Sequence, residues 1–360
     1  MHAGHRCGYV AIVGKPNAGK STLLNALVGQ KLAIVTAKPQ TTRHRILGIL
    51  SGPDYQAVLV DTPGVLSAPR VALDAAMMRS VRTALTQADV LCAVVDASVA
   101  ARLEDPADGL AGLSITGAEG GPPLLVLLNK CDLLPPDEAE RVRAFFAERS
   151  GVSAALCASA ATGEGVKQLE VRVASPMRHA AAALLTRCRT DVDRERVASR
   201  AHALPEGHGA FAAAHVLCDC RAWVHETPAA QVSEHPERFF VAEIVRERIF
   251  EMYRLEIPYC TTVTVLEHRE RTKEGLNTEG EAVRDYIRVR VTVERESQKP
   301  ILLGKGGSAI KELGTSSRLA IEDFLQRKVF LEIKVEVADG WRDSEDALER
   351  FGINNPNLLV

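Results

Sequence analysis

The chain has no surplus of charge, no long apolar run and no metal-ligand spacing. Lys plus Arg and Asp plus Glu nearly cancel over the 360 residues, leaving a formal net charge of −2. That excludes a protein that coats nucleic acid by bulk charge, so an RNA contact has to come from a local site, and no DNA partner is expected. No apolar run approaches the ~18–20 residues that span a bilayer. The eight cysteines are scattered, most of them in apolar runs as Cys92 and Cys157 are, which points to buried reduced thiols. Cys218-Asp219-Cys220, near His215 and His225, matches no zinc spacing. Only eight residues precede the first apolar strand, so no signal or transit peptide is expected in this numbering.

The first informative stretch is Gly14-Lys15-Pro16-Asn17-Ala18-Gly19-Lys20-Ser21. It follows the apolar run Tyr9–Val13 and precedes a helical pattern from Thr22 to Leu27, the context a phosphate-binding P-loop requires. Gly14 and Gly19 let the loop curl so that the N–H groups of Lys15, Asn17 and Ala18 point at phosphate oxygens, and the following helix adds its positive end. Lys20 is expected to reach the β- and γ-phosphates, Ser21 to sit on Mg²⁺, and Thr22 to complete the binding set. Lys38 to Arg45 is polar and contains Pro39, hence an exposed loop. In a nucleotide switch one of its threonines, Thr41 or Thr42 with Thr42 favoured, completes the Mg²⁺ shell. Two runs, 46–50 and 57–60, read as paired strands, and the second ends in Asp61-Thr62-Pro63-Gly64. Asp61 is placed to hold Mg²⁺ through water, and Gly64 to give its N–H to the γ-phosphate.

A helix over 73–86 leads to a buried strand at 90–96, and 100–123 is rich in Gly, Pro and Asp and reads as a loop. Leu124–Leu128 then runs into Asn129-Lys130-Cys131-Asp132. The Asp132 carboxylate can accept two hydrogen bonds from guanine N1–H and its exocyclic amine, a pair adenine does not offer. Asn129 supports the base and the loop, Lys130 packs its stem over the ring, and the last strand leads to Ser159 and Ala160, where the backbone meets the base. These motifs in order specify GTP as substrate, with Lys20, Thr42 and Gly64 as the residues nearest the chemistry.

Together these residues resemble the Era family of GTPases, the Pro39-Gln40-Thr41-Thr42-Arg43-His44-Arg45 segment above all. The resemblance covers 8–170 and implies a doubly wound, mostly parallel α/β sheet. It also frames the mechanism. Related GTPases place a water-orienting glutamine after the Asp-x-x-Gly glycine, and Val65 stands there, so slow intrinsic hydrolysis is expected. Asn17 is the residue type that related GTPases use to bind K⁺.

Residues 171–231 carry no sustained period and read as a poorly ordered interdomain insertion. A peripheral membrane contact through it is the rival reading. Order returns over 232–352. A helix at 242–250, strands at 260–267 and 286–294, and a charged loop between them precede Lys299-Pro300-Ile301-Leu302-Leu303-Gly304-Lys305-Gly306-Gly307-Ser308-Ala309-Ile310-Lys311. A Gly-x-x-Gly between helices, followed by a helix at 308–327 and a strand at 330–337, is the K-homology (KH) signature. Gly304, Lys305, Gly306 and Gly307 would let the RNA backbone approach. Lys299 and Lys311 add cations, and Ile301, Leu303 and Ile310 would line a groove for about four bases. Lys plus Arg and Asp plus Glu balance at 19 each over 237–342, so only local placement favours RNA.

This half again resembles Era, and implies a type II α+β KH domain that binds the 3′ end of small-subunit ribosomal RNA on the small ribosomal subunit. Gly340-Trp341-Arg342 resembles the family's tail, with Trp341 either an RNA contact or a core anchor and Arg342 an RNA-holding cation. The phrases at 233–248 and 321–326 resemble the chloroplast branch, so the chloroplast stroma is the expected location and a bacterial-type cytoplasm the alternative. The expected activity is GTP hydrolysis by a ribosome-assembly factor. A GTPase switch with a protein or membrane-surface partner is the alternative.

Overall fold

The computed structural model describes residues 6–66, 68–111, 121–179, 233, 235–269 and 284–353. Two compact units emerge. The first is built of 1–32, 45–67 and 80–234, and the second of 33–44, 68–79 and 235–360.

The first unit is a sheet in the order β2-β3-β1-β4-β5-β6, with β7 pairing β1 off that path. The strands are β1 (Arg6–Val13), β2 (Ile46–Ser51), β3 (Tyr55–Asp61), β4 (Val90–Asp96), β5 (Leu124–Asn129), β6 (Val152–Cys157) and β7 (Arg178–His179). All pairings are parallel except β2 with β3 and β7 with β1. Every residue of β5 is buried, as expected of a central parallel strand covered on both faces. The helices are α1 (Lys20–Val28), α2 (Ala72–Gln87), the short α3 (Ala97–Ala100), α4 (Pro136–Ala147) and α5 (Val166–Ala174). This α/β architecture brings the carboxyl ends of β1, β3, β5 and β6 to one edge, where open α/β sheets bind ligands.

One expectation changes here. Helix α5 runs to Ala174 and β7 follows, so ordered structure continues past the boundary expected at residue 170. Much of the 100–123 segment is turn, with a 3-10 helix at Pro106–Leu110, and 112–120 lies outside the described residues. So do 180–232, which hold nearly all of the expected insertion and Cys218-Asp219-Cys220.

The second unit packs α6 (Glu237–Met252), α8 (Lys299–Leu303) and α9 (Ser308–Leu325) on a three-stranded sheet in the order β10-β9-β8. Its strands are β8 (Thr262–Arg269), β9 (Asp285–Val293) and β10 (Val329–Val337), and α7 (Ile257–Cys260) and α10 (Glu345–Arg350) complete the unit. β8 and β9 are antiparallel, β9 and β10 parallel. Ile287, Val289, Val291 and Val293 alternate inward along β9 and meet Val241, Val245 and Ile249 of α6 with Leu313 and Ile321 of α9. The order helix, two strands, helix, glycine turn, helix, strand is the one the pattern predicts.

Residues 38–45 were expected to be an exposed loop. They are irregular, but Thr42 and Arg43 are buried at 6% and 4% exposure within the second unit. Charge satisfaction explains it. The Arg43 guanidinium donates to the carbonyls of Pro258 (3.1 Å), Tyr259 (2.8 Å) and Thr261 (2.6 Å), which end α7. Lys38 Nζ donates to the carbonyls of Phe250 and Tyr253 at the end of α6. Cations on the last carbonyls of a helix satisfy acceptors that have no partner within the helix. On α6 itself, Arg246 makes a bidentate pair with Glu243 (2.9 and 2.6 Å). Burial beside these charges pushes the His44 imidazole down to about 4, which keeps it neutral.

Candidate functional site

The loop between β1 and α1 closes tightly. A Cβ on Gly14 would stand 2.3 Å from the Val94 carbonyl oxygen, and one on Gly19 2.1 Å from the Asn129 side-chain nitrogen, so neither position tolerates a side chain. Asn17 lies at φ 63 and is exposed, a left-handed conformation that asparagine tolerates. Lys20 is 6% exposed and donates to the carbonyls of Gly14 (3.1 Å) and Lys15 (2.9 Å). Burial lowers its pKa to about 8, while nearby Asp61 opposes the fall. The Lys15 ammonium reaches the Asp108 carbonyl.

Asp61 at the end of β3 is fully buried and accepts from Ser21 Oγ at 2.6 Å. A hydroxyl and a carboxylate oxygen side by side are the hard donors Mg²⁺ prefers, so this pair fits the ion. Thr62 Oγ1 donates to the Ile12 carbonyl (2.8 Å), locking β3 against β1. Gly64 comes against Pro16, where an added Cβ would meet backbone at 2.8 Å. The N–H of Val65 donates to the Gly14 carbonyl (3.1 Å). Val65 is 9% exposed and offers no side-chain donor toward water. Thr41 and Thr42 lie on the 33–44 segment of the second unit.

Asn129 ties three loops together. Its Nδ2 donates to the Ala18 carbonyl (2.8 Å) and its Oδ1 accepts from the Ala160 N–H (2.9 Å), with the side chain 2% exposed. Ser159 is buried, and its Oγ accepts from the Thr162 N–H (3.2 Å). Lys130 adopts φ 65 and donates to Asp96 Oδ2 (2.7 Å). Asp132 presents an exposed carboxylate in the turn Cys131–Leu133. Asp96 was not singled out from the sequence. It also caps α3 through Ser98 and Val99 and stands in register with Asn129. The available signal was an aspartate closing a buried strand beside the base-reading strand.

In the second unit Gly304, Gly306 and Gly307 all have left-handed φ (71, 61 and 78), and the Gly307 N–H donates to the Gly304 carbonyl (3.1 Å). Only glycine enters that conformation repeatedly without cost. Lys305, Gly306 and Lys311 are exposed. A groove of about 830 Å³ runs between α9 and β10, lined among others by Ile310, Lys311, Gly314, Arg318, Lys328 and Phe330. Of the residues expected there, Ile310 and Lys311 line it, whereas Ile301 and Leu303 do not. Arg284, Arg318, Lys328 and Phe330 are additions. Phe330 is 52% exposed and stacks on Tyr286 at 5.9 Å and 13°. It was legible in principle. Along β10 the alternate residues Leu331, Ile333, Val335 and Val337 pack against the core, and Phe330 falls in the opposite, charged phase.

Of the two readings of Trp341, the structure takes one. Trp341 is 1% exposed, its indole N–H donates to the Cys260 carbonyl (3.0 Å), and the Arg43 guanidinium lies 5.7 Å from its ring centre. It is a core anchor, and burial rules out the RNA contact. The Arg342 guanidinium is held by buried Glu294 through Nε (3.0 Å) and Nη2 (2.7 Å).

Residues 9–130 match the family described as 50S ribosome-binding GTPase, and 256–342 match the KH domain. The chain is 42% identical over 97% of its length to GTPase ERA1, chloroplastic, of Zea mays, covering 71% of that protein. It is 34% identical over 97% to GTPase Era of Carboxydothermus hydrogenoformans, covering 98% of it. The structure of Era in complex with MgGDPNP and nucleotides 1506–1542 of 16S ribosomal RNA is similar at a TM-score of 0.72 and 28% identity, with 97% of this chain and 99% of that chain covered.

Proposed function

The chain belongs to the Era family of GTPases, and on that premise we propose a ribosome-assembly factor that hydrolyses GTP and binds the 3′ end of small-subunit ribosomal RNA through its KH domain. One observation carries the RNA half. Three left-handed glycines open a turn beside a groove that pairs cations with an exposed, stacked aromatic. Such a surface suits unpaired nucleotides, whose phosphates take the cations and whose bases stack. The solved Era complex with 16S ribosomal RNA supports the same partner, and the small ribosomal subunit is the particle on which this reading places the chain.

In the nucleotide site, the loop N–H groups and Lys20 bind the phosphates, Ser21 and Asp61 would hold Mg²⁺, and Asp132 reads guanine with Asn129 fixing the loop. Bound Mg²⁺ supplies charge neutralisation on the phosphates. The Thr42 role rests on the sequence alone. Gly64 holds the Asp-x-x-Gly turn against the loop. Val65 cannot orient water, so intrinsic hydrolysis is slow and RNA or the ribosomal particle accelerates it. Asn17 is assigned to K⁺, and equal single-turnover rates in potassium and sodium would refute that. The chloroplast stroma is favoured because the maize relative is chloroplastic. The membrane contact expected of 171–231 falls on residues that lie almost wholly outside those described.

The test is binding of a labelled rRNA 3′-end oligonucleotide, read by anisotropy, by wild type and Gly304→Asp/Lys305→Asp. The double variant should lose about tenfold or more in RNA affinity while binding GDP normally. A wild type that ignores the oligonucleotide would support a protein-partner switch instead.

A further inference from the structure

Asp96 closes β4 in register with Asn129, the residue whose side chain bridges Ala18 and Ala160. Its carboxylate is divided between two tasks. Oδ1 accepts from the Ser98 N–H (3.0 Å), the Ser98 hydroxyl (2.7 Å) and the Val99 N–H (3.3 Å), which caps α3. Oδ2 accepts from the Lys130 ammonium at 2.7 Å, and both side chains of that pair are partly buried. Burial alone would raise the Asp96 carboxyl, but the bonds from Lys130 and Ser98 outweigh it and hold the group below the ordinary carboxylate range. It is therefore ionised at neutral pH, and its bond to the ammonium is charge-assisted.

Lys130 is itself an unusual position. Its backbone is left-handed at φ 65, a conformation that a residue with a side chain takes rarely. From there it starts the turn Cys131–Leu133, which presents Asp132. The Leu133 N–H donates to the Lys130 carbonyl (3.1 Å), and the Cys131 N–H to the Ala158 carbonyl (3.2 Å). The backbone of this turn is thus held from within and from β6's end, and Asp96 holds the far end of the lysine side chain. A lysine free in water samples many rotamers, and ordering it on a ligand costs binding energy. A partner that orders it beforehand removes that cost.

We infer that Asp96 is a positioning residue for the guanine nucleotide: by holding the Lys130 ammonium it fixes the lysine stem, and with it the start of the Asp132 turn, before the base arrives. This rests on the GTP-binding reading above, in which Lys130 packs over the base and Asp132 reads its edge. The same carboxylate caps α3, so a purely structural role has to be separated from this one, and side-chain chemistry separates them. Asparagine keeps an oxygen that can accept from Ser98 and Val99 and is as good a cap as aspartate. Toward the ammonium it presents an amide N–H group, donor against donor. Asp96→Asn therefore retains the cap and releases the lysine.

The test is a double-mutant cycle on the full chain. Fluorescent GDP is titrated into wild type, Asp96→Asn, Lys130→Met and the double variant, with folding checked by thermal unfolding. Asp96→Asn should weaken GDP binding about tenfold, Lys130→Met at least as much, and the double variant no more than Lys130→Met alone, because the carboxylate then has no lysine to hold. Ser98→Ala removes one of the Oδ1 bonds, leaves the lysine pair intact, and should bind GDP as wild type does. Wild-type affinity in Asp96→Asn overturns the inference. So do losses that multiply in the double variant, or a loss in Ser98→Ala equal to that in Asp96→Asn, since either assigns the carboxylate to α3 alone. Asp96→Ser, which also keeps a capping oxygen, takes the place of the asparagine variant if that one does not fold. A wild type that binds no GDP would defeat the GTP-binding reading and the inference with it, whereas tight wild-type binding with multiplying losses defeats the inference alone.

Discussion

The nucleotide edge of the first unit and the groove of the second are built on opposite plans. At the nucleotide edge the polar groups are already engaged. Lys20 rests on the Gly14 and Lys15 carbonyls, Asn129 spans Ala18 and Ala160, and Lys130 is paired with Asp96. These bonds hold the donors in place before a ligand arrives, which is how a site stabilises developing phosphate charge without reorganising. The groove of the second unit instead displays Lys311 and Phe330 outward on a helix and a strand, with Lys305 exposed on the nearby glycine turn. A prearranged phosphate site suits chemistry on one ligand. An open cationic groove suits a flexible strand that supplies its own fit.

The contrast also separates what was legible from what was not. The P-loop, Asp61, Gly64 and Asn129 could be read directly because each is fixed by backbone geometry at a strand end, and geometry of that kind demands set residues at set spacings. Helix and strand order was readable in both units for the same reason, since period 2 and period 3.6 follow from burial. The groove obeys no spacing rule. Its cations come from Arg284, Lys311, Arg318 and Lys328, and its placement between α9 and β10 depends on how those elements pack. Trp341 shows the limit from the other side. A tryptophan next to an arginine reads equally as an RNA contact or a core anchor, and only the carbonyl of Cys260 and the Arg43 guanidinium decide for the core. Nor did the sequence show that Arg43 is buried. Its three acceptors lie more than 200 residues further on.

The sharpest way to test the prearranged side is Lys20→Met. It removes the buried cation, so hydrolysis should fall by about 10³-fold in single-turnover assays. Apo-protein thermal stability should hold or rise, because a desolvated ammonium is costly to keep. A large stability loss with hydrolysis intact would reverse the assignment.

Arg43→Ala should act on stability rather than chemistry. It leaves buried carbonyls at Pro258, Tyr259 and Thr261 without their donor, a loss of about 2–4 kcal/mol. Denaturant unfolding should therefore shift to lower midpoint. An unchanged midpoint would mean those carbonyls find other donors.

On the open side, Phe330→Ala should weaken rRNA-oligonucleotide binding by roughly tenfold, the worth of one stacked base. Folding should be unaffected, since the ring is 52% exposed. Equal affinity for the variant would move the stacking platform elsewhere.

The smallest effect concerns pH. Burial holds Lys20 at about 8, and phosphate binding favours its charged form and raises it. Nucleotide binding is therefore coupled to proton uptake above pH ~8, and GTP affinity should fall by up to about tenfold between pH 7 and 9. Lys20→Met should flatten that profile in calorimetric titrations. A slope equal in both proteins would assign the proton to another group.

Whether the two plans serve one switch is decided by GTP hydrolysis measured with and without an rRNA 3′-end oligonucleotide, in wild type and Gly304→Asp/Lys305→Asp. The expected result is a faster wild-type rate with RNA and a double variant that keeps only the basal rate. Hydrolysis that ignores RNA in the wild type, or stimulation that survives in the double variant, would contradict an RNA-coupled GTPase.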